Sequence, residues 1–267
     1  MNRKDGALGR PNDAMKMVSN WFSANNLLLN AEKTKCIKFS LPNVYPIDTT
    51  IELEGNKLEL VNSTVFLGIT IDSKLQWGRH IEALSKKLSS AVFAVRKIRS
   101  LSDVATARLV YFAYFHSIMS YGIMLWGSAA DVDSILILQK RAKRSIYRLG
   151  SRDSLREFFK KIHILTLPSQ YIFENIMYVR KNILTFTKIS DVHSHNTRNR
   201  NNIEMPKFRL HKTAKSFMGN GIRFYNKIPI NITELTEKKI KTHARKVLIE
   251  KAYYEIDNYV KDRDVWC

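Results

Sequence analysis

The chain has 267 residues, of which 45% are hydrophobic, and this composition excludes a disordered chain and allows one or two domains with a sizeable core. Lysine and arginine number 44 against 24 aspartate and glutamate, which gives a net charge of +20 and an isoelectric point near 9.9. Such an excess favours a polyanionic partner, either nucleic acid or an anionic membrane surface. The two cysteines, Cys36 and Cys267, imply no disulfide framework, and no apolar run follows the N-terminus. We therefore expect an intracellular protein of the nucleus or cytoplasm.

The first 75 residues combine one helix with short strands. The predicted elements are a helix over residues 12–26, a strand over 35–40, a hairpin over 51–60 and a buried strand over 64–71. Asn12 is placed to cap the helix, and Gly55-Asn56 interrupts the alternating pattern of the hairpin. Gly68 lies within the last apolar segment, where it indicates either a close approach of another backbone or a bulge.

From residue 77 onward the spacing of apolar side chains is helical. The predicted helices cover residues 77–98, 102–120, 135–148, 168–179, 213–225 and 234–259. The apolar stripe of the first of them is Ile81, Leu84, Leu88, Ala91, Val95 and Ile98. Asp103 and Pro168 open the second and fourth helices, whereas Gly150 stops the third. The polar residues 190–209 are the best candidate for a linker.

Residues 109–126 carry no Asp, Glu, Lys or Arg, and their number approaches the roughly 20 residues that span a bilayer. Tyr111, Tyr114, His116 and Tyr121 lie in this segment, and so many polar atoms are costly in hydrocarbon. We therefore expect a buried core helix and no stable membrane insertion. A membrane-associated protein built around this segment stays an alternative.

Five motifs occur in order along the chain. They are WFSANNLLLN with the following Lys33-Thr34, FLGITID at 66–72, YGIMLWG at 121–127, Asn182 with Thr197-Arg198, and FMGNGIRFYNKIP at 217–229. Together they resemble the end of the palm, the thumb and the C-terminal tail of reverse transcriptases from non-LTR (LINE-like, jockey-type) retrotransposons. The resemblance implies RNA-templated DNA synthesis as the activity of the whole polymerase.

The resemblance also implies a role for one lysine and indicates what is missing. Lys33 matches a lysine that lies near the phosphates of the incoming nucleotide in that family, although a solvated lysine at a strand entrance is the alternative. The metal-binding Asp-Asp motif of the family would precede this chain, and the sequence has no adjacent Asp-Asp pair. We therefore expect no catalytic residue and no cofactor in this chain, with Mg²⁺ bound only by the full-length polymerase.

Nucleic-acid binding follows from the helices without the resemblance. A surface that grips a duplex needs helices with one apolar side and one basic side. On the third helix Ile135, Leu138 and Ala142 are predicted to face inward, and Lys143 to face outward with the neighbouring cations. The predicted nucleic-acid contacts are Arg79, Lys86, Lys97, Lys140, Arg141, Arg144, Arg148, Lys238 and Arg245.

No metal site is predicted. His193 and His195 have no acidic or cysteine partner at metal-ligand spacing, and Asp131 and Asp133 are explained by a helix start.

The sequence thus predicts an α+β fold, in which a small antiparallel palm remnant precedes a mostly helical thumb and a C-terminal helical region. The predicted domains are a truncated palm at 1–75, a thumb-like region at 76–185, a polar linker at 186–212 and a helical tail at 213–267. The predicted function is that of a C-terminal fragment of an RNA-directed DNA polymerase, which binds RNA, DNA or hybrid template–primer but is inactive alone. A domesticated, non-catalytic nucleic-acid-binding protein is the second alternative.

Overall fold

The computed structural model describes residues 9–40, 50–150, 152–192 and 199–266. The chain divides into two compact units, Met1–His80 and Ile81–Cys267, which are described separately below. The first contains one helix and short strands, and the second is helical. The predicted α+β class is therefore confirmed.

The first unit pairs its strands two by two. Its elements are α1 Gly9–Ala24, β1 Lys35–Ile37, β2 Glu52–Leu53, β3 Asn56–Lys57, β4 Glu59–Val61, β5 Ser63–Phe66 and β6 Ile69–Asp72. The β2–β3 pair is antiparallel, as predicted for the 51–60 hairpin, and the β5–β6 pair is also antiparallel. The β1–β4 pair is parallel, with Cys36 opposite Leu60 in the register.

The predicted buried strand over 64–71 is wrong, because the segment is a hairpin of β5 and β6. Leu67 and Gly68 form its turn with φ angles of 47° and 79°, so Gly68 lies in a hairpin turn and not in a bulge within one strand. The side chains of Phe66 and Leu67 are 61% and 73% exposed. Two consecutive left-handed residues reverse the chain between the paired strands, and the apolar run does not reveal this turn.

Two local assignments in the first unit also change. The turn of the 51–60 hairpin falls at Glu54-Gly55, both with positive φ, and so one residue earlier than Gly55-Asn56. Asn12 does not cap α1, which begins at Gly9. Its side-chain oxygen instead accepts a hydrogen bond of 3.2 Å from the Glu52 backbone N–H.

The long helix α2, Gly78–Leu101, begins at the end of the first unit. It is followed by α3 Val104–Val110, a π-helical turn Tyr111–His116, α4 Ser117–Ser120, α5 Ile123–Trp126, α6 Asp133–Tyr147, α7 Arg156–Lys161 and α8 Leu167–Lys181. The remaining elements are a 3₁₀ turn Ile183–Thr185, α9 Ile189–Val192, α10 His211–Ala214, α11 Phe217–Tyr225, α12 Ile230–Thr233, α13 Glu237–Lys251 and α14 Ile256–Lys261.

The core of the second unit is built around α8. The Thr166 hydroxyl caps this helix by accepting from the Ser169 N–H, and Pro168 lies in its first turn, as predicted. Ten of its fifteen residues are buried, and it packs against α11 and α13. The predicted apolar stripe of α2 is confirmed, since Leu88, Ala91 and Val95 are fully buried.

Residues 109–126 follow a broken helical path. Tyr111, Phe115, Met119 and Trp126 are fully buried, whereas Leu109 is 70% exposed. Asp103 caps the start of this path, and Gly122, with φ of 61°, ends its first part. Within the described parts of the chain, no helix is long and apolar enough to cross a membrane.

Several helix ends differ from the predicted ones. Helix α6 ends at Tyr147 because Arg148 takes a left-handed conformation with φ of 54°, so Gly150 is not the stop. Ala252, with φ of 44°, separates α13 from α14 where one helix was predicted. The predicted 213–225 helix is likewise divided between α10 and α11. His193, His195, Thr197 and Arg198 lie outside the described residues.

Candidate nucleic-acid interface

Helix α13 has one apolar and one basic side. It carries six lysine and arginine residues against two glutamates. Ile240, Ala244 and Leu248, spaced four residues apart, are buried against the core. The cations Lys238, Lys239, Lys241, Arg245 and Lys246 are exposed. The predicted contacts Lys238 and Arg245 therefore point to solvent from a helix that is anchored on its other side.

Helix α6 follows the same pattern. Ile135, Leu138 and Ala142 are buried, as predicted. Arg141 and Arg148 are exposed, whereas Lys140 and Arg144 are half-buried. All four predicted contacts on this helix are thus accessible.

The prediction that Lys143 faces outward is wrong. Its side chain is fully buried, and its ammonium lies 3.1 Å from the centroid of the Tyr111 ring without a hydrogen-bond partner. Lys143 follows the buried Gln139 by one helical turn, so it points toward the π-helical turn. Burial, with a smaller effect of Arg108, lowers the pKa of Lys143 well below its usual value. Lys143 is unsuited to contact a ligand.

The predicted contacts on α2 are exposed but differ in their partners. Lys86 forms an ion pair of 2.8 Å with Glu82. Lys97 lies on the exposed side of the helix. Arg79, in the first unit, donates to the Ser63 hydroxyl. Because Glu82 neutralises Lys86, this lysine adds less to the basic surface than Lys97 does.

Lys33 is exposed in the first unit, in the turn before β1. Its backbone N–H donates to the Asn30 side-chain oxygen at 2.9 Å, and the Thr34 hydroxyl donates to the Asn30 carbonyl at 2.7 Å. These bonds form the turn and leave the Lys33 ammonium directed to solvent.

One cavity in the second unit gathers several cations. It has a volume of about 360 Å³, and its lining residues are Lys140, Arg144, Ser154, Leu155, Arg156 and Tyr254. Tyr254 lies between two of the cations, with the Lys140 ammonium 3.8 Å and the Arg156 guanidinium carbon 4.8 Å from its ring centroid. No lining residue is acidic. The cavity therefore concentrates positive charge in a concave site.

Backbone carbonyls orient one of these cations. Arg144 donates from Nε to the Gly150 carbonyl at 3.1 Å and from Nη2 to the Asp153 carbonyl at 3.3 Å. Partial burial lowers the pKa of Lys140; Arg144 and Arg156 lower it further, whereas Asp133 opposes this. Burial raises the pKa of Tyr254.

Sequence analysis missed Arg156 and Tyr254. Arg156 begins the short helix α7 and belongs to no basic stripe, and Tyr254 follows the end of α13. Arg156 and Tyr254 lie about a hundred positions apart in the sequence. No local sequence pattern therefore indicates that they meet in the fold.

Some of the basic side chains stabilise the fold by donating hydrogen bonds to backbone carbonyls. Arg99 donates to the Ile146 and Ser102 carbonyls, and Arg180 donates to the Thr233 and Leu235 carbonyls. The Lys227 ammonium donates to the carbonyls of Tyr259, Val260 and Asp262 at 2.6–2.9 Å. These internal cations are excluded from the candidate interface.

The motif at 217–229 is also largely structural. Asn220 donates to the Lys215 carbonyl and the Tyr171 hydroxyl. Asn226 accepts from the Ile203 N–H and donates to the Ile203 carbonyl, at 2.9 and 2.8 Å. The motif therefore holds α11 against the core and fastens part of the predicted linker to it.

Among residues that the structure describes, no group of three or more His, Cys, Asp or Glu side chains could hold a metal ion. The Asp72 carboxylate accepts from the backbone N–H groups of Lys74, Gln76 and Trp77, so it supports the turn before α2.

The chain is similar to part of a transposon protein. Over 131 residues it is 32% identical to a Drosophila melanogaster protein described as a probable RNA-directed DNA polymerase from transposon BS. The match covers 47% of this chain and 14% of the relative's length. No family model and no solved structure matches the chain. The similarity supports the relationship to a non-LTR retrotransposon reverse transcriptase that the motifs implied.

Proposed function

We propose that this chain is the C-terminal portion of a retrotransposon RNA-directed DNA polymerase and that it binds template–primer through basic helix faces. The similarity to a transposon polymerase supports the class. The single observation that carries the binding role is α13, whose exposed cations oppose a buried apolar stripe on the same helix.

The chemistry of this surface suits the phosphate backbone. Lysine and arginine at spacings of three and four residues lie on one side of a helix, where they meet successive phosphates. Lys238, Lys241 and Arg245 have this spacing. Such contacts release counterions, so binding is steeply salt-dependent and has little sequence preference.

The binding proposal is tested by fluorescence anisotropy with a labelled RNA/DNA hybrid at several salt concentrations. Lys238→Gln, Lys241→Gln and Arg245→Gln together should weaken binding and reduce the salt slope by about 0.9 for each phosphate that the protein no longer neutralises. The matched control is Lys161→Gln, Lys181→Gln and Lys261→Gln, which removes the same charge from exposed positions on three other helices. Equal effects of the two triple variants would reject α13 as a contact surface.

We also propose that these residues do not catalyse nucleotide addition by themselves. Nucleotidyl transfer by two metal ions needs carboxylates that hold both ions, and the sequence contains no adjacent Asp-Asp pair. Purified protein with primed RNA, Mg²⁺ and nucleotides should extend no primer above background. Extension that disappears in an Asp72→Ala variant would overturn this proposal, because a carboxylate of this chain would then bind metal.

A domesticated nucleic-acid-binding protein would have the same binding surface, but its reading frame would not encode the metal-binding Asp-Asp motif of a polymerase. Translating the genomic DNA upstream of the codon for Met1 distinguishes the two. An Asp-Asp motif in the same frame favours a polymerase, and its absence favours the domesticated protein.

A further inference from the structure

The cavity lined by Lys140, Arg144, Arg156 and Tyr254 differs from the flat basic faces. Its cations come from α6 and from the start of α7, and its aromatic ring comes from the turn after α13. Side chains that are far apart in sequence thus converge on one concave site. A strand running along the outside of a helix does not require such a site.

The cations of the cavity retain free donors. In the described part of the chain, none of the ion pairs involves Lys140, Arg144 or Arg156. Arg144 uses Nε and Nη2 for carbonyls, whereas Lys140 and Arg156 are positioned by the Tyr254 ring. Three cations are therefore held in place by neutral partners, and no residue that lines the cavity is acidic, although the Asp133 carboxylate acts on Lys140 from outside the lining.

We propose that this cavity binds the terminal phosphate of a nucleic-acid strand. A terminal phosphate carries a charge between about −1.5 and −2 near neutral pH and has three acceptor oxygens, so it balances three cations better than a singly charged diester does. Arginine and lysine together supply the directed and the point-charge contacts that phosphate oxygens accept.

The size of the site agrees with this assignment. The volume of about 360 Å³ leaves room for the sugar that follows the phosphate. Partial burial of Lys140 costs hydration, and a bound dianion offsets that cost.

This inference rests on the proposed nucleic-acid binding, and the experiment separates the two. Anisotropy is measured with short single-stranded oligonucleotides that carry a phosphate or a hydroxyl at the 5′ end, and with a second pair that differs at the 3′ end. One of the two ends should bind about five- to tenfold more tightly when phosphorylated. Arg156→Gln with Tyr254→Leu, at two lining residues that are not among the predicted contacts of the helix faces, should remove most of this gain and leave the affinity for the hydroxyl strand within about twofold.

Two further variants serve as controls. Lys238→Gln with Lys241→Gln should weaken both members of each pair equally and preserve the gain. Tyr254→Leu, which removes the ring that positions Lys140 and Arg156, should reduce the gain, whereas Tyr254→Phe retains the ring and most of the gain. Circular dichroism melting of each variant separates loss of binding from loss of fold.

Each other result overturns the inference. An equal affinity for phosphate and hydroxyl ends in the wild type, or a gain that survives in the double variant, removes the cavity as the site. A double variant that binds both strands equally weakly makes the cavity part of the general binding surface and leaves the proposed function intact. Inorganic phosphate that competes as well as the strand end would assign the site to the free ion. Failure of every oligonucleotide to bind would reject the proposed function itself.

Discussion

The ammonium of Lys143 lies 3.1 Å from the centroid of the Tyr111 ring, where α6 packs on the π-helical turn. The ring contact is the main polar compensation for this buried cation, which has no hydrogen bond. A cation over a desolvated ring gains about 2 kcal/mol, whereas burying an unpaired ammonium costs several. The lowered pKa of Lys143 is consistent with this imbalance.

We expect Lys143→Met to stabilise the protein by about 1–3 kcal/mol at pH 7, because an apolar side chain of similar length removes the buried charge. The pKa of Lys143 is lower in the folded than in the unfolded protein, so the unfolded chain binds more protons. The stability of the wild type therefore rises as the pH increases toward about 10. The advantage of the variant should therefore shrink at pH 9.5. Urea denaturation at both pH values measures it. A less stable variant would mean that the Tyr111 contact outweighs the burial cost.

His116 should make stability depend on acid pH. Burial, followed by the positive charges of Lys143 and Arg245, lowers the pKa of His116 to about 4. The unfolded chain therefore protonates first, near pH 6.5, and folding stability falls by on the order of 2 kcal/mol as the pH drops from 7 to 4. His116→Gln lacks this titration. Its stability relative to wild type, from urea denaturation, should improve on acidification; a constant difference would contradict the assignment.

Lys227 should be essential for the stability of the C-terminal segment around α14. Its ammonium donates to three carbonyls at the end of α14, and removing it leaves those acceptors without their charged donor. Lys227→Met should destabilise the protein by about 2–4 kcal/mol, measured by thermal or urea unfolding. Lys261→Met, at an exposed position of α14, is the matched control and should change stability by less than about 0.5 kcal/mol. Similar losses in both variants would reject the role of Lys227.

Arg148→Gly should raise stability while weakening binding. Arg148 is left-handed with φ of 54°, and glycine relieves about 0.5–1 kcal/mol of strain there. The substitution also removes one exposed cation from the end of α6. Anisotropy should then report weaker binding of nucleic acid and a slightly smaller salt slope, in a protein that melts later. Unchanged binding would exclude Arg148 from the interface.

Gly219→Ala should destabilise the packing between α10 and α11. A Cβ atom at Gly219 would lie 2.1 Å from the Ala214 carbonyl oxygen, which is backbone and cannot rotate away. We expect a loss of about 1–3 kcal/mol or more in thermal unfolding. Gly150→Ala is the control, because its nearest neighbour would be the Asp153 carboxylate at 3.4 Å. A tolerated Gly219→Ala would mean that α10 moves readily.

The helical half of the fold could be predicted because its signals are local. Leu88, Ala91 and Val95 recur at helical spacing, and they are fully buried on α2. The position of Pro168 in the first turn of α8 is also a local signal, because the N–H that proline lacks has no partner within the helix there. The outward positions of Arg141, Lys238 and Arg245 follow once the apolar side of each helix is known.

The sequence-based predictions were wrong where a left-handed backbone conformation ends a helix or reverses the chain. An apolar run at 64–71 favours a buried strand, but the left-handed Leu67-Gly68 turn divides it and leaves Phe66 exposed. Ala252 and Arg148 end helices in a conformation that their side chains disfavour, so composition does not predict those stops.

The sequence by itself determined the helix periods, the basic excess and the motifs that relate the chain to a transposon polymerase. Only the tertiary structure decided which cations are accessible to a ligand and which are buried. Lys140 and Lys143 are three residues apart on one helix, yet Lys140 lines an open cavity beside Tyr254 while Lys143 is buried on Tyr111. A helical period assigns a residue to a side of its helix, but the elements that pack on that side set its hydration and its partners.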